Sequence, residues 1–236
     1  MRILLLGGTT EARELASRLE GHEVVSSLAG RVAAPVPPDG DVRVGGFGGA
    51  AGLADYLREQ RIDAVVDATH PFAEHITDNA FAAAREAGVR HVLLRRPGFE
   101  LREEYAVVRD VHAAADTIAP GAHVFLTIGR QQVAAFLHVD AWFLVRAIDP
   151  PHALPPRHVL VLDRGPFDAT AERELMERHS IDTLVTKDSG GEATAAKLAA
   201  ATDLDVRVIV VARPPLPDGL EPVASVDEVL EQLAHS

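Results

Sequence analysis

The sequence predicts an α/β protein of two lobes, each a mainly parallel sheet flanked by helices. Three observations carry this. Short apolar runs alternate with helix-length segments along the 236 residues, the pattern of βαβ units whose strands are buried on both faces. The first run ends in a glycine pair and a helix start. The pattern then restarts past the middle and echoes three of its own strands: IDAVVDATHP begins at Ile62 and IDTLVTKDSG at Ile181, VRHVLLRRP at Val89 and VRVIVVARP at Val206, ILLLG at Ile3 and FLTIG at Phe125. The separations are 119, 117 and 122 residues. One nearly constant spacing predicts related lobes over residues 1–120 and 121–236, with a boundary near Pro120.

In chain order, residues 3–6 are a buried strand, and Gly7-Gly8-Thr9-Thr10 turns into a helix over 11–19 with Ala12, Leu15, Ala16 and Leu19 on one face. A strand at 22–28, a proline-rich loop at 31–41 and a short strand at 42–44 follow, then a helix over 50–60. Residues 62–67 are a strand. Thr69-His70-Pro71-Phe72 leads into a helix reaching about Ala87, with Pro71 suited to its first turn. Gly88 caps that helix, and 89–95 is the next strand. Residues 97–104 break the rhythm, before a short strand (106–108) and helix (111–118). Strands then recur at 124–128, 142–148, 159–162, 181–186 and 206–211, and a helix over 227–234 closes the chain.

Bulk composition narrows the function. The net charge of −12 opposes a general nucleic-acid binder, which needs a basic surface. Absence of cysteine excludes disulfides, thiolate nucleophiles and Cys-ligated metals. No apolar stretch is long enough to span a membrane and no signal peptide is apparent, so a cytoplasmic protein is expected. His70 and His75 lack the spacing of a helical metal pair, and no metal site is predicted.

Ligands of open α/β sheets bind beyond the carboxyl ends of the strands. In the first lobe those ends carry Gly7, Gly8, Thr9, Thr10, Ser27, Arg31, Gly45, Gly46, Thr69 and His70. A glycine turn before a helix N-terminus suits a nucleotide phosphate, although an ordinary strand–helix turn has the same local form and the full G-x-G-x-x-G fingerprint is absent. The second lobe's ends carry Arg130, Arg146, Asp149, Arg164, Lys187, Asp188, Ser189 and Arg213. Five cations at strand tips of an acidic protein suggest a site for a ligand with several carboxylates or phosphates; salt bridges to helix-start acids are the other reading. After the second strand, Ser26-Ser27-Leu28-Ala29-Gly30-Arg31 offers hydroxyls and a cation where NAD sites place a carboxylate, which favours NADP. Asp149, ahead of two prolines, is a candidate to balance a cationic intermediate or move a proton; a turn-forming aspartate fits equally.

Taken together, Gly7-Gly8-Thr9-Thr10-Glu11-Ala12-Arg13, Asp67-Ala68-Thr69-His70-Pro71-Phe72-Ala73, Thr127-Ile128-Gly129-Arg130, Lys187-Asp188-Ser189-Gly190-Gly191 and Ala212-Arg213-Pro214 resemble the precorrin-6A reductase family of cobalamin biosynthesis. The resemblance spans nearly the whole chain. It implies two Rossmann-like lobes with the active site between them, and reduction of a ring double bond in precorrin-6A by NADPH to give precorrin-6B. By this resemblance Gly7, Gly8, Thr9, Thr10, Thr69, His70, Lys187 and Ser189 are expected at the cofactor, and Ser27 and Arg31 join them from the hydroxyls and cation that follow the second strand. Arg13 and Asp149 are the catalytic candidates, and Arg130, Arg146, Arg164 and Arg213 bind the polycarboxylate tetrapyrrole. Neighbouring enzymes of the pathway are its candidate protein partners. The related cobalt-precorrin-6A reductases, using NADH, share the pattern. Two rivals come from other classes: a two-lobed transferase using a nucleotide sugar or S-adenosylmethionine, and a non-catalytic tetrapyrrole carrier.

Overall fold

The computed structural model describes residues 1–29, 41–191 and 195–235. It contains two six-stranded sheets, all of whose pairings are parallel. The first holds β1 (Arg2–Leu6), β2 (Glu23–Leu28), β3 (Asp41–Val44), β4 (Ala64–Asp67), β5 (Arg90–Leu94) and β12 (Pro222–Val223), in the order β12-β5-β4-β1-β2-β3. The second holds β6 (Ala106–Val108), β7 (His123–Thr127), β8 (Trp142–Ala147), β9 (His158–Leu162), β10 (Thr183–Lys187) and β11 (Arg207–Val211), in the order β6-β11-β10-β7-β8-β9. Laid side by side, β7 to β11 take the places of β1 to β5. The internal echo of the sequence is therefore a repeat of topology.

Alternation along β1 explains why its residues read as one apolar run. Ile3 and Leu5 pack with α1 (Thr10–Arg18) and α7 (Val226–Ala234) on one face, while Leu4 and Leu6 pack with α2 (Gly49–Glu59) and α3 (Glu74–Ala87) on the other. Burial on both faces removes the polar positions a one-sided strand would show. In the second sheet Phe125, Leu144 and Leu184 pack with α5 (Ala169–Arg178) and α6 (Ala196–Asp203), and α4 (Val111–Asp116) packs beside β11. No helix among the described residues is long and apolar enough to cross a membrane.

The chain divides differently from the expected boundary at Pro120. One compact unit is Met1–Pro97 with Pro214–Ser236, and the other is Gly98–Arg213. The sixth strand of each sheet accounts for this. In a simple tandem repeat β6 would follow β5 into the first sheet. Instead β6 pairs with β11, and β12, late in the chain, pairs with β5. The helices go with them: α4 packs on β11, and α7 packs on β5 and α1. These two strand–helix pieces are themselves equivalent, since Asp110 caps α4 and Ser225 caps α7 through their side chains in the same way. The arrhythmic residues 97–104 lie where the chain first crosses from one unit to the other.

The helix expected to begin near Pro71 begins at Glu74. His70 causes the delay: its Nδ1 accepts the Phe72 N–H at 3.2 Å and its carbonyl accepts the Ala73 N–H at 2.7 Å. These bonds make a separate turn of residues 70–73.

Candidate functional site

The first unit reverses its winding between β1 and β4. From β1 the chain moves outward through β2 and β3, then returns to add β4 on the other side of β1. A crevice opens at the carboxyl ends of the strands at such a switch point. Here it is bordered by Gly7, Gly8, Thr9 and Thr69. The Gly7 N–H donates to the Ser27 carbonyl (3.0 Å), extending the β1–β2 ladder by one residue. Gly8 then takes φ +119°, a left-handed conformation that favours glycine, and a Cβ built there would meet nothing within 4 Å. Thr9 caps α1: its Oγ1 accepts the Ala12 N–H (3.0 Å) and donates to the Ala68 carbonyl (2.8 Å), which ties the β1 turn to the β4 tip. A threonine cap of this kind contributes about 1 kcal/mol. Thr10 is exposed and its hydroxyl accepts from Arg13 Nη2 at 3.1 Å. The helix start thus presents an open glycine turn, unpaired backbone N–H groups and a guanidinium, which suits an anion.

Two hollows flank this turn. One of about 250 Å³ is lined by Leu5, Gly7, Gly8, Ala12, Arg13, Ser26 and Leu28. The other, of about 190 Å³, is bordered by Thr9, Glu11, Ala68, Thr69 and Arg96, with Glu11 and Arg96 paired at 2.9 Å. Ser26 is 1% exposed and its Oγ has no hydrogen-bond partner among the described residues. A buried hydroxyl left so costs about 1–3 kcal/mol. An orphaned hydroxyl beside an open glycine turn fits a nucleotide whose oxygens complete the bonding.

Beyond β4, Asp67 is fully buried and organises the Thr69-His70 turn. Its Oδ1 accepts the Thr69 N–H (3.0 Å) and hydroxyl (2.7 Å), and its Oδ2 accepts the Thr77 hydroxyl (2.7 Å). Thr69 and His70 line a third hollow of about 300 Å³, together with Glu74, Arg95 and Pro214. Asp67 had no place among the expected site residues. Its signal was an aspartate at a strand end with threonine two residues on, an Asx turn.

The second unit repeats the switch between β7 and β10. Beyond β7, Gly129 has φ +80° and Arg130 approaches Asp149 at 3.9 Å, with the two side chains 31% and 17% exposed. Beyond β10, Lys187 is partly buried and Ser189 buried, and the Ser189 N–H donates to the Lys187 carbonyl (2.7 Å). Asp188 fastens this tip. Its Oδ1 accepts the Phe99 N–H (2.8 Å), and Arg213 Nε donates to its carbonyl oxygen (2.7 Å) and lies 3.3 Å from Oδ2. Each unit thus brings part of its sequence-predicted set to the carboxyl end of its own sheet: Gly7, Gly8, Thr9, Thr10, Thr69 and His70 in the first, Arg130, Asp149, Lys187, Ser189 and Arg213 in the second.

The profile of the family described as "Precorrin-6x reductase CbiJ/CobK" matches residues 2–234. The chain belongs to this reductase family. A precorrin-6A reductase of Rhodococcus erythropolis is 54% identical over 241 residues, covering 99% of this chain and 96% of the relative. One of Mycobacterium tuberculosis is 52% identical over 233 residues, covering 97% and 94%. A cobalt-precorrin-6A reductase of Priestia megaterium is 28% identical over 253 residues, covering 99% and 97%. A solved structure titled "CobK precorrin-6A reductase" superposes with a TM-score of 0.92 at 39% identity, covering all of this chain and 96% of that one. The two-sheet architecture is thus the family's own.

Within this reductase, Arg146 does not stand where a substrate could use it. It is 7% exposed, points into the α5–α6 face of the second sheet and forms a two-pronged ion pair with Glu172 of α5, one limb at 3.0 Å. Its guanidinium also lies 3.6 Å from the centroid of the Phe167 ring and 4.9 Å from that of Phe125. Arg213 likewise braces the Asp188 tip. Arg164 is exposed beyond the edge strand β9, and Arg31 lies outside the described residues. Ser27 supplies the carbonyl that holds Gly7, whereas the hydroxyl on the α1 face of β2 is that of Ser26. Among the described residues no cluster of three or more His, Asp or Glu is placed to hold a metal ion.

Proposed function

We propose that this chain reduces one ring double bond of precorrin-6A to give precorrin-6B, with NADPH as the reductant. The observation that carries the reading is the switch-point turn of the first unit: a left-handed Gly8 open to solvent, the capped N-terminus of α1, and a β2 that ends in hydroxyls where an NAD site would carry a carboxylate. The relatives support the metal-free substrate, since those described as precorrin-6A reductases are 42–54% identical and those described as cobalt-precorrin-6A reductases 28%.

The nicotinamide supplies the hydride, and one proton completes the addition across the C=C bond. The protein's own residues bind, orient and set the field. Gly7, Gly8, Thr9 and Thr10 would hold the nucleotide phosphates, and Thr69 and His70, fixed by Asp67, would border them. Lys187 and Ser189 would add anion contacts. Arg13 and Asp149 would hold the charged macrocycle, with the Asp149 carboxylate opposing positive charge as it develops. Arg130 and Arg164 would meet its carboxylates.

Purified enzyme should consume NADPH only when precorrin-6A is present. Turnover with NADH and none with NADPH would overturn the cofactor assignment; turnover of the cobalt macrocycle alone would overturn the substrate. Arg31→Ala should weaken NADPH far more than NADH, and equal losses would remove Arg31 from reading the 2′-phosphate.

A further inference from the structure

We propose that Ser26 is a nucleotide-binding residue, whose hydroxyl donates to a ribose or phosphate oxygen of the bound dinucleotide. The inference rests on the nucleotide reading above and adds to it a residue that the glycine-turn pattern does not contain. Three observations converge. First, β-strand register puts Ser26 opposite Leu5 on β1, on the face covered by α1. Leu28, two residues on, shares that face by alternation, while Ser27 turns to the other. The Ser26 side chain therefore belongs to the hollow bounded by Leu5, Gly7, Gly8, Ala12, Arg13 and Leu28, of about 250 Å³.

Second, the hydroxyl is buried without a partner, whereas other buried hydroxyls of this unit have one. Thr9 donates to the Ala68 carbonyl, and Thr77 donates to Asp67. Both satisfy themselves within the protein, as buried hydroxyls ordinarily do. Ser26 Oγ bonds to nothing among the described residues. Third, the hollow that holds it opens at the start of α1, where unpaired backbone N–H groups and Arg13 already favour an anion. A hydroxyl in this place completes a donor set when a polyanionic nucleotide arrives, and a methyl group would pack there equally well in its absence.

The test separates a ligand contact from a structural one. Calorimetric titration of NADP+ and NAD+ into wild type, Ser26→Ala and Ser26→Cys is paired with chemical denaturation of each protein without nucleotide. Ser26→Ala should lose about tenfold in affinity, ~1.4 kcal/mol, with Ser26→Cys in between, while its stability without nucleotide is unchanged or higher. A loss confined to NADP+ assigns the hydroxyl to the 2′-phosphate, and an equal loss for both nucleotides assigns it to an oxygen they share; either supports the proposal. Equal affinity of wild type and Ser26→Ala overturns it, as does a fall in nucleotide-free stability, which would reveal a bond within the protein. Wild type that binds neither nucleotide overturns the underlying reading instead.

Discussion

Replacing Lys197 with methionine should flatten the alkaline stability profile of this protein and raise its stability at neutral pH. Lys197 lies on α6 with 3% of its surface exposed, and its ammonium is 5.3 Å from the centroid of the Phe99 ring. Burial drives its pKa down from 10.5 to about 7, the positive charge of Arg146 on β8 adds to the fall, and Glu172 on α5 opposes it. The unfolded chain therefore holds the proton between pH 7 and 10.5 while the folded chain releases it. Stability must rise with pH across that window, at up to about 1.4 kcal/mol per pH unit. Below pH 7 both states hold the proton, and the burden on the fold is complete at about 5 kcal/mol. Methionine keeps the length and packing of the stem without the charge.

The window is unusually clear. The chain has only two lysines, Lys187 and Lys197, and two tyrosines, so few other groups titrate there. Guanidinium unfolding at intervals from pH 6.5 to 9.5 would give the free energy by linear extrapolation. Wild type should gain several kcal/mol over that range, with most of the gain missing from Lys197→Met. At pH 7 the variant should be the more stable by up to about 4 kcal/mol. Parallel profiles for the two proteins would refute the reasoning, because a lysine that keeps an ordinary pKa in the fold contributes no slope.

Glu172→Ala should be far more harmful than Lys197→Met, costing about 3–5 kcal/mol in the same assay, because it leaves the buried Arg146 without its carboxylate. His91 is partly buried near Phe81, and both its ring nitrogens are buried and unpartnered among the described residues. Burial lowers its pKa against an opposing pull from Asp67, so stability should fall as pH drops below 6.5, and His91→Leu should remove part of that loss, read by thermal melting between pH 7 and 5. Gly98→Ala would set a Cβ 2.7 Å from the Asp188 carboxylate, displacing the clamp on Phe99 and Arg213; a loss of about 1–3 kcal/mol is expected by denaturation.

The sequence made the strands legible because burial on both faces turns each into an unbroken apolar run, and the switch-point tips followed from their order. The exchanged edge pieces were not legible. Residues 106–116 and 222–234 look alike locally, and which sheet receives each is decided by long-range pairing of β6 with β11 and β12 with β5. The start of α3 at Glu74 was not legible either: Pro71 suits a first helical turn, but the His70 ring and carbonyl hold the N–H groups of Phe72 and Ala73 first.

The strand-tip cations show where tip position alone stops being informative. Arg146 lies just before the end of β8 and Arg213 just past β11, as Lys187 ends β10 and Arg130 follows β7. Sequence position makes the four equivalent, but the acid that claims each one is remote: Glu172 is 26 residues from Arg146 and Asp188 is 25 from Arg213. Their charges are thereby spent inside the second unit, one beneath α5 and one on the β10 tip. In the proposed reading the positive field met by a polycarboxylate would then come from fewer groups than the composition implied, with Arg130 and Lys187 beside the β7–β10 switch among them. Because Arg130 is held 3.9 Å from Asp149, a ligand carboxylate drawn to Arg130 would compete with Asp149 for it. In the proposed reading, substrate binding at Arg130 would thereby be coupled to the charge that Asp149 sets against the positive charge developing in the reduction.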